Sequence, residues 1–119
     1  MAKFNIRNRT RQTVLATEAS LADTSQKRRV GLLKHDSLPS GQGLWIMPCE
    51  GIHTFGMRFA IDVLFLDRNK KVLKVRPHMG PGRVSLCLWA HSVVELPAGT
   101  IAAAATEQGD ELELEEYGG

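Results

Sequence analysis

The sequence predicts an α+β fold: a mostly antiparallel sheet, curled or closed into a small barrel, with one main helix over about residues 23–34 packed on it. Three observations carry that expectation. Short apolar runs separated by turn residues recur along the chain, as the strands of such a sheet do. Only residues 21–34 read as a substantial helix. The strand–helix alternation that announces a parallel sheet is missing.

Residues 3–6 and 13–17 (Thr-Val-Leu-Ala-Thr) are the first strand candidates. In the helix that follows, Asp23 is placed to cap and Gln26 to complete a capping box. Val30, Leu32 and Leu33 give it an apolar side, and Lys27, Arg28 and Arg29 a basic one. Gly31 inside a helix costs about 1 kcal/mol against alanine, which suggests a close backbone contact there. Residues 35–43 carry Pro39, Gly41 and Gly43 and read as loop.

Residues 44–47 form a short apolar strand ended by Pro48. Residues 61–66, apolar at every place but Asp62, predict a strand buried on both faces. The polar turn Asp67-Arg68-Asn69-Lys70 then joins it to a half-exposed strand over residues 71–76. Residues 77–83, with Pro77, Gly80, Pro81 and Gly82, read as a rigid exposed loop. Residues 84–89 and 92–96 are further strands, Pro97-Ala98-Gly99 a corner, and Thr100 the cap of one helical turn through the alanines. Residues 111–115 close the set, alternating Leu112 and Leu114 with acids.

Composition narrows the classes. A chain of 119 residues predicts one domain that buries about two-thirds of its unfolded surface. Hydrophobic content of 43% and charged content of 24% are those of a soluble globular protein. Cys49 and Cys87 are too few for a disulfide framework, and a reducing compartment follows. No apolar stretch follows the basic first residues, and no run approaches the roughly 18 apolar residues of a membrane span. The expectation is therefore a cytoplasmic protein with no membrane partner. Neither monomer nor dimer is dictated, although the apolar residues 84–89 or an open edge strand can support a dimer.

Charge is unevenly spread. Residues 1–34 hold eight bases against Glu18 and Asp23, a net +6, while residues 107–119 hold six acids and no base, a net −6. Pairing of the two ends as neighbouring strands accounts for this directly. A weak nucleic-acid site on the basic N-terminal region is the competing reading. It is disfavoured because Phe4 is the only aromatic there for bases to stack on.

The candidate chemistry centres on residues 49–67. Asp62 shares a strand face with Leu64 and Leu66, so its carboxylate points into a core and needs a partner. Arg29, Arg58 and His53 are the available cations. Either Asp62 forms a buried ion pair, or it lies in a polar pocket where Arg29, His53, Met57, Arg58, Asp62 and Glu95 bind a small molecule or a protein partner. Cys49 and His53, with Asp62 or Glu50 orienting the imidazole, form the catalytic alternative of a small hydrolase or transferase. The Cys49–His53 spacing is also that of two metal ligands. The other candidates, His35, His78, Cys87 and His91, show no paired spacing, so neither a metal nor a cofactor is expected. Gly80-Pro81-Gly82-Arg83 lacks the context of a phosphate loop.

Six short motifs, in order, are similar to those of the domain-of-unknown-function 192 family of small bacterial and archaeal proteins. They are Arg29-Val30-Gly31-Leu32-Leu33, Gly43-Leu44-Trp45, Phe55-Gly56-Met57, the strand from Ile61 to Asp67, Glu95-Leu96-Pro97-Ala98-Gly99, and Gly109-Asp110. The resemblance spans roughly residues 13–115. Where that family shows an aromatic-rich segment before its Met and a stretch ending in Pro-Leu-Asp, this chain has Ile52-His53-Thr54-Phe55-Gly56 and Phe59-Ala60-Ile61-Asp62. Met57 and Asp62 keep their places. The resemblance implies a compact β-rich α+β domain and no established reaction.

Overall fold

The first and last strands lie side by side in one sheet. In a computed structural model describing residues 2–117, β1 (Lys3–Asn8) pairs antiparallel with β9 (Leu112–Tyr117), opposing Arg7 to Glu113 and Asn5 to Glu115. The opposite charges of the two ends therefore meet as neighbouring strands. A polar cluster locks the end of this pair. Asn8 Nδ2 donates to Asp110 Oδ2 at 2.9 Å and to Thr106 Oγ1 at 3.0 Å. Arg11 reaches Asp110 at 3.1 Å and Glu107 at 2.6 Å. Burial pushes the Asp110 carboxyl up, but hydrogen bonds from Asn8, the Glu107 amide and Arg11 outweigh this and hold it below the usual carboxylate range.

β2 (Thr13–Ala22) runs further than its alternation suggests, and a bulge explains why. Phe4 pairs with Ala19 but Ile6 with Ala16, so β2 carries an extra residue there. Thr17 and Glu18 both donate to the Gly41 carbonyl. The strand resumes on the far side and continues through Leu21, where a helix was expected. That half pairs with β3 (Gln42–Ile46) in parallel, which makes the sheet mixed.

The main helix is correspondingly shorter than expected. α1 spans Ser25–Val30 and is capped by Thr24, whose hydroxyl accepts from Lys27 N at 3.2 Å, rather than by Asp23. Gly31 lies at its end, not its interior, where a φ of +49° stops the helix. No residue of α1 itself is buried; Leu32 and Leu38, in the chain that follows, anchor this segment on the sheet.

The remaining strands are β4 (Gly51–His53), β5 (Ile61–Leu66), β6 (Val72–Met79), β7 (Val84–Leu86) and β8 (Ser92–Pro97), with α2 a single turn at Thr100–Ala103. The hairpin β5–β6 forms around the expected turn, where Asp67 Oδ1 accepts from Asn69 N and Lys71 N. Residues 77–79, read as loop, belong to β6, and Gly99 rather than Thr100 caps α2. The order is β6-β5-β8-β3-β2-β1-β9, with β4 and β7 forming a separate two-stranded sheet. The large sheet curls until its two edges touch at Lys71 and Glu111, but it does not close into a barrel.

The curl makes two cores. Phe4, Ile6, Leu15, Trp45, Leu64 and Leu96 fill the concave side, and Trp45 meets Phe4 edge-on at 5.3 Å. On the convex side Leu44, Ile46, Val63, Phe65 and Val93 pack beneath Leu32, Leu38, Ile52 and Met57. β5 is thus buried on both faces, as its near-continuous apolar run requires. Gly43 on β3 lets the concave side pack closely, since a Cβ there would lie 3.0 Å from Leu96 Cδ2 and 3.1 Å from the Glu95 carbonyl. Gly43→Ala is expected to destabilise the fold by about 2 kcal/mol in urea unfolding, as overpacking against backbone does.

Candidate functional site

The convex side is not fully covered. Between α1, the turn after it and the segment from Ile46 to Met57 opens a cleft of about 530 Å³. Its walls are apolar: Val30, Leu32 and Leu33 on one side, Ile46, Pro48, Ile52 and Met57 on the other. Arg28, Arg29, Cys49, Glu50 and His53 supply its polar atoms, and Glu95 of β8 completes the lining.

Strand alternation puts Glu95 there. Val94 and Leu96 point into the concave core, so Val93 and Glu95 must face the convex side. Glu95 sits in the ladder between Leu44 and Val63, and only 5% of it is exposed. Its carboxyl takes no hydrogen bond or ion pair from any described residue. Desolvation therefore acts unopposed and pushes its pKa up to about 7. A buried acid balanced between its two forms at neutral pH, facing an open cleft, is the most unusual group in the molecule.

The structure brings four of the expected binding residues to this cleft, Arg29, His53, Met57 and Glu95, and places the other two elsewhere. Arg58 is exposed and pairs with Asp36. Asp62 is fully buried, does not line the cleft, and has none of the cationic partners expected for it. Its Oδ1 accepts from His78 N at 2.8 Å, and its Oδ2 from Gly99 N at 3.1 Å and Ile101 N at 2.8 Å. The reason lies in the backbone. β6 carries an extra residue where Ile61 pairs with Met79 but Val63 with Arg76, and His78 sits there at φ +53°. That irregularity frees the His78 amide, while the turn into α2 frees two more, and one carboxylate satisfies all three.

The catalytic alternative finds Cys49 and His53 on the cleft but unlinked. Cys49 Sγ donates to the Gly51 carbonyl at 3.1 Å, and burial, ahead of the nearby Glu95 charge, pushes its thiol pKa up. His53 Nδ1 accepts from Phe55 N at 3.3 Å, and its ring stacks on Phe55. No hydrogen bond joins Cys49 to His53, or His53 to Asp62, among the described residues. Sequence reasoning missed the walls from α1 and its turn, and Arg28, whose guanidinium donates to the Asp23 and Met47 carbonyls and so ties α1 to β3. A signal lies in Arg28-Arg29-Val30-Gly31-Leu32-Leu33, where bases and large apolar residues flank a glycine that ends the helix.

Fold and cleft together define a small α+β domain with a curled mixed sheet and an open cleft of ligand size beside a short helix. The chain belongs to the domain-of-unknown-function 192 family, described as Uncharacterized ACR, whose model matches residues 6–114. It is 34% identical over 112 residues to a UPF0127 protein of Pyrococcus furiosus, covering 89% of this chain and 94% of that one. Among solved structures it is similar to a protein of unknown function from Novosphingobium aromaticivorans, with a TM-score of 0.80, 17% identity, and coverage of 93% of this chain and 83% of that one. It is also similar to a Sinorhizobium meliloti protein provisionally described as a transcription regulator, with a TM-score of 0.83, 17% identity, and coverage of 96% and 94%. At that identity the likeness is one of fold alone. No helix among the described residues is long and apolar enough to cross a membrane.

Proposed function

We propose that this protein is a non-catalytic binding domain that holds a small molecule in the cleft over Glu95. One observation carries the reading: a buried carboxyl without a partner faces an open cavity of ligand size. A desolvated acid of this kind is strongly improved by any group that brings it an N–H or O–H donor. The ligand class is therefore a compound with an amine or hydroxyl at its inner end and an apolar body against Val30, Leu33, Ile52 and Met57. Arg29, exposed at the rim and free of ion pairs among the described residues, suits an anionic outer end.

The thiol-hydrolase reading has less support. It needs a thiolate and an oriented imidazole, whereas the Cys49 thiol is pushed towards its protonated form and Asp62 is engaged by three amides. Nucleic-acid binding through the N-terminal bases is weakened because Arg7 and Arg11 already face acids of the C-terminal segment. The free thiols of Cys49 and Cys87 fit a reducing, cytoplasmic setting.

Native mass spectrometry of gently purified protein, followed by NMR titration with small amines and hydroxyl compounds, tests the proposal. Retained mass, or shifts confined to Leu33, Ile52 and Met57, is the expected result, with both abolished in Glu95→Ala. If no compound moves those resonances in the wild-type protein, the cleft is not a ligand site.

A further inference from the structure

The cleft leaves one prominent feature unexplained. Among the described residues seven large hydrophobic side chains are exposed, and five of them, Phe55, Val84, Leu86, Leu88 and Trp89, belong to β4, β7 and the segments that follow them. Trp89 is 88% exposed and Leu88 71%. Leu86 lies across Gly51, where a Cβ would approach its Cδ2 to 2.5 Å. Val84 pairs with His53, on which Phe55 stacks. Trp89 is held outward at φ +72°, its amide donating to Glu50 Oε2 at 2.6 Å.

The surroundings are basic. Between residues 51 and 91 the chain carries seven Lys and Arg against Asp62 and Asp67, and Asp62 is buried. Lys74 touches the patch, its Nζ donating to the Leu86 carbonyl at 2.8 Å. Arg83 is exposed at the start of β7, and Arg76 follows Lys74 along the same face of β6. Glu50, beside the patch, is occupied by the Trp89 amide. None of the five apolar residues lines the Glu95 cleft. The patch is a set of projecting, exposed side chains.

We infer that the β4–β7 face docks the protein on an anionic lipid bilayer, with Leu88 and Trp89 entering the headgroup layer and Lys74, Arg76 and Arg83 meeting lipid phosphates. Tryptophan and leucine at projecting tips, flanked by bases, are the side chains that partition into that zone. Juxtaposed Lys and Arg add attraction to anionic lipid that fades with salt. The sequence expectation of no membrane partner rested on the lack of a long apolar run. Lying on a bilayer needs no such run, and Phe55 joins the patch from 29 residues before Val84 only through the pairing of β4 with β7.

Tryptophan emission tests this directly, because Trp45 is buried and Trp89 is the residue that can change environment. Whole protein is mixed with vesicles of equal parts phosphatidylcholine and phosphatidylglycerol, and with pure phosphatidylcholine as the uncharged control. The expected result is a blue shift and loss of acrylamide quenching on the anionic vesicles alone, reversed by salt. Leu88→Ser/Trp89→Ser, both exposed and so compatible with folding, should reduce co-sedimentation roughly tenfold or more, given the apolar surface withdrawn from the interface. Arg76→Glu/Arg83→Glu should do the same while leaving the thermal midpoint unchanged. Failure of wild-type protein to sediment with anionic vesicles at low salt overturns the inference. So does undiminished sedimentation of the Leu88/Trp89 variant. Trp89 found already shielded in free protein, with a mass that rises with concentration, assigns the face to a second copy instead.

Discussion

Replacing Asp62 with alanine is expected to cost about 4 kcal/mol. The side chain is fully buried, and its two oxygens hold the amides of His78, Gly99 and Ile101. Removing it strands three N–H groups, that of Ile101 buried and those of His78 and Gly99 half-buried, at about 1–3 kcal/mol for an unsatisfied buried donor and less for the other two. Cavity formation adds to this, and partial relaxation of the α2 turn offsets some of it. Against a typical total of about 5–15 kcal/mol, the variant retains a small margin and melts roughly 15 °C lower. Asp62→Asn keeps one acceptor oxygen but turns an amide donor toward the others, so it should recover little. Differential scanning calorimetry of both variants decides the matter. A shift of only a degree or two would mean that the three amides find other partners and that Asp62 is not the brace between the β6 irregularity and the β8–α2 corner.

The second large effect concerns Glu95 and has the opposite sign. Its folded-state pKa, about 7, lies above the ordinary value of 4.5 because burial opposes ionisation. Below about pH 4.5 the acid is neutral in both states and has no effect on stability. Between pH 4.5 and 7 the unfolded chain releases the proton while the folded chain keeps it, so stability falls as pH rises. Above pH 7 the full cost is present, on the order of 3 kcal/mol for a shift of this size. Glu95→Gln should remove that slope and stabilise the protein at pH 8 by up to this amount, unless its amide finds no acceptor in the cleft. Urea unfolding from pH 5 to pH 8 in both proteins is the measurement. Parallel curves would show that Glu95 ionises at its ordinary value. Asp110 acts at the other end of the scale. Its pKa is held low, so its contribution is complete above about pH 4 and is lost as the solution is made more acidic.

The two carboxylates show what the sequence could and could not convey. Both stand out as acids within apolar strands, and the reasoning that Asp62 lies on a buried face holds. Alternation, the hairpin around Asp67 and the pairing of oppositely charged ends were legible because they depend on side-chain type at fixed spacing. The partner of Asp62 was not legible, because amides freed by backbone irregularities carry no residue signature. The same cause hid the full length of β2, where a bulge breaks the period, and the early stop of α1 at Gly31. The cleft was half legible. Arg29, His53, Met57 and Glu95 were named together, but Asp62 and Arg58 were grouped with them by proximity in sequence rather than in space.

The pairing of the first strand with the last sets the order of assembly. β1 lies between β2 and β9, so its outer edge waits for a partner synthesised about a hundred residues later. Closing so long a loop is slow, and refolding should be correspondingly slow for a chain of this size. Until then β1 presents an open edge, the feature most prone to joining a neighbouring chain. Its bases, Lys3 and Arg7, give every nascent copy the same charge along that edge, and two such edges repel. When β9 arrives, its acids are drawn to this edge in preference to the edge of another unfinished molecule. The charge asymmetry that pairs the ends in the finished sheet thus also guards the unfinished one.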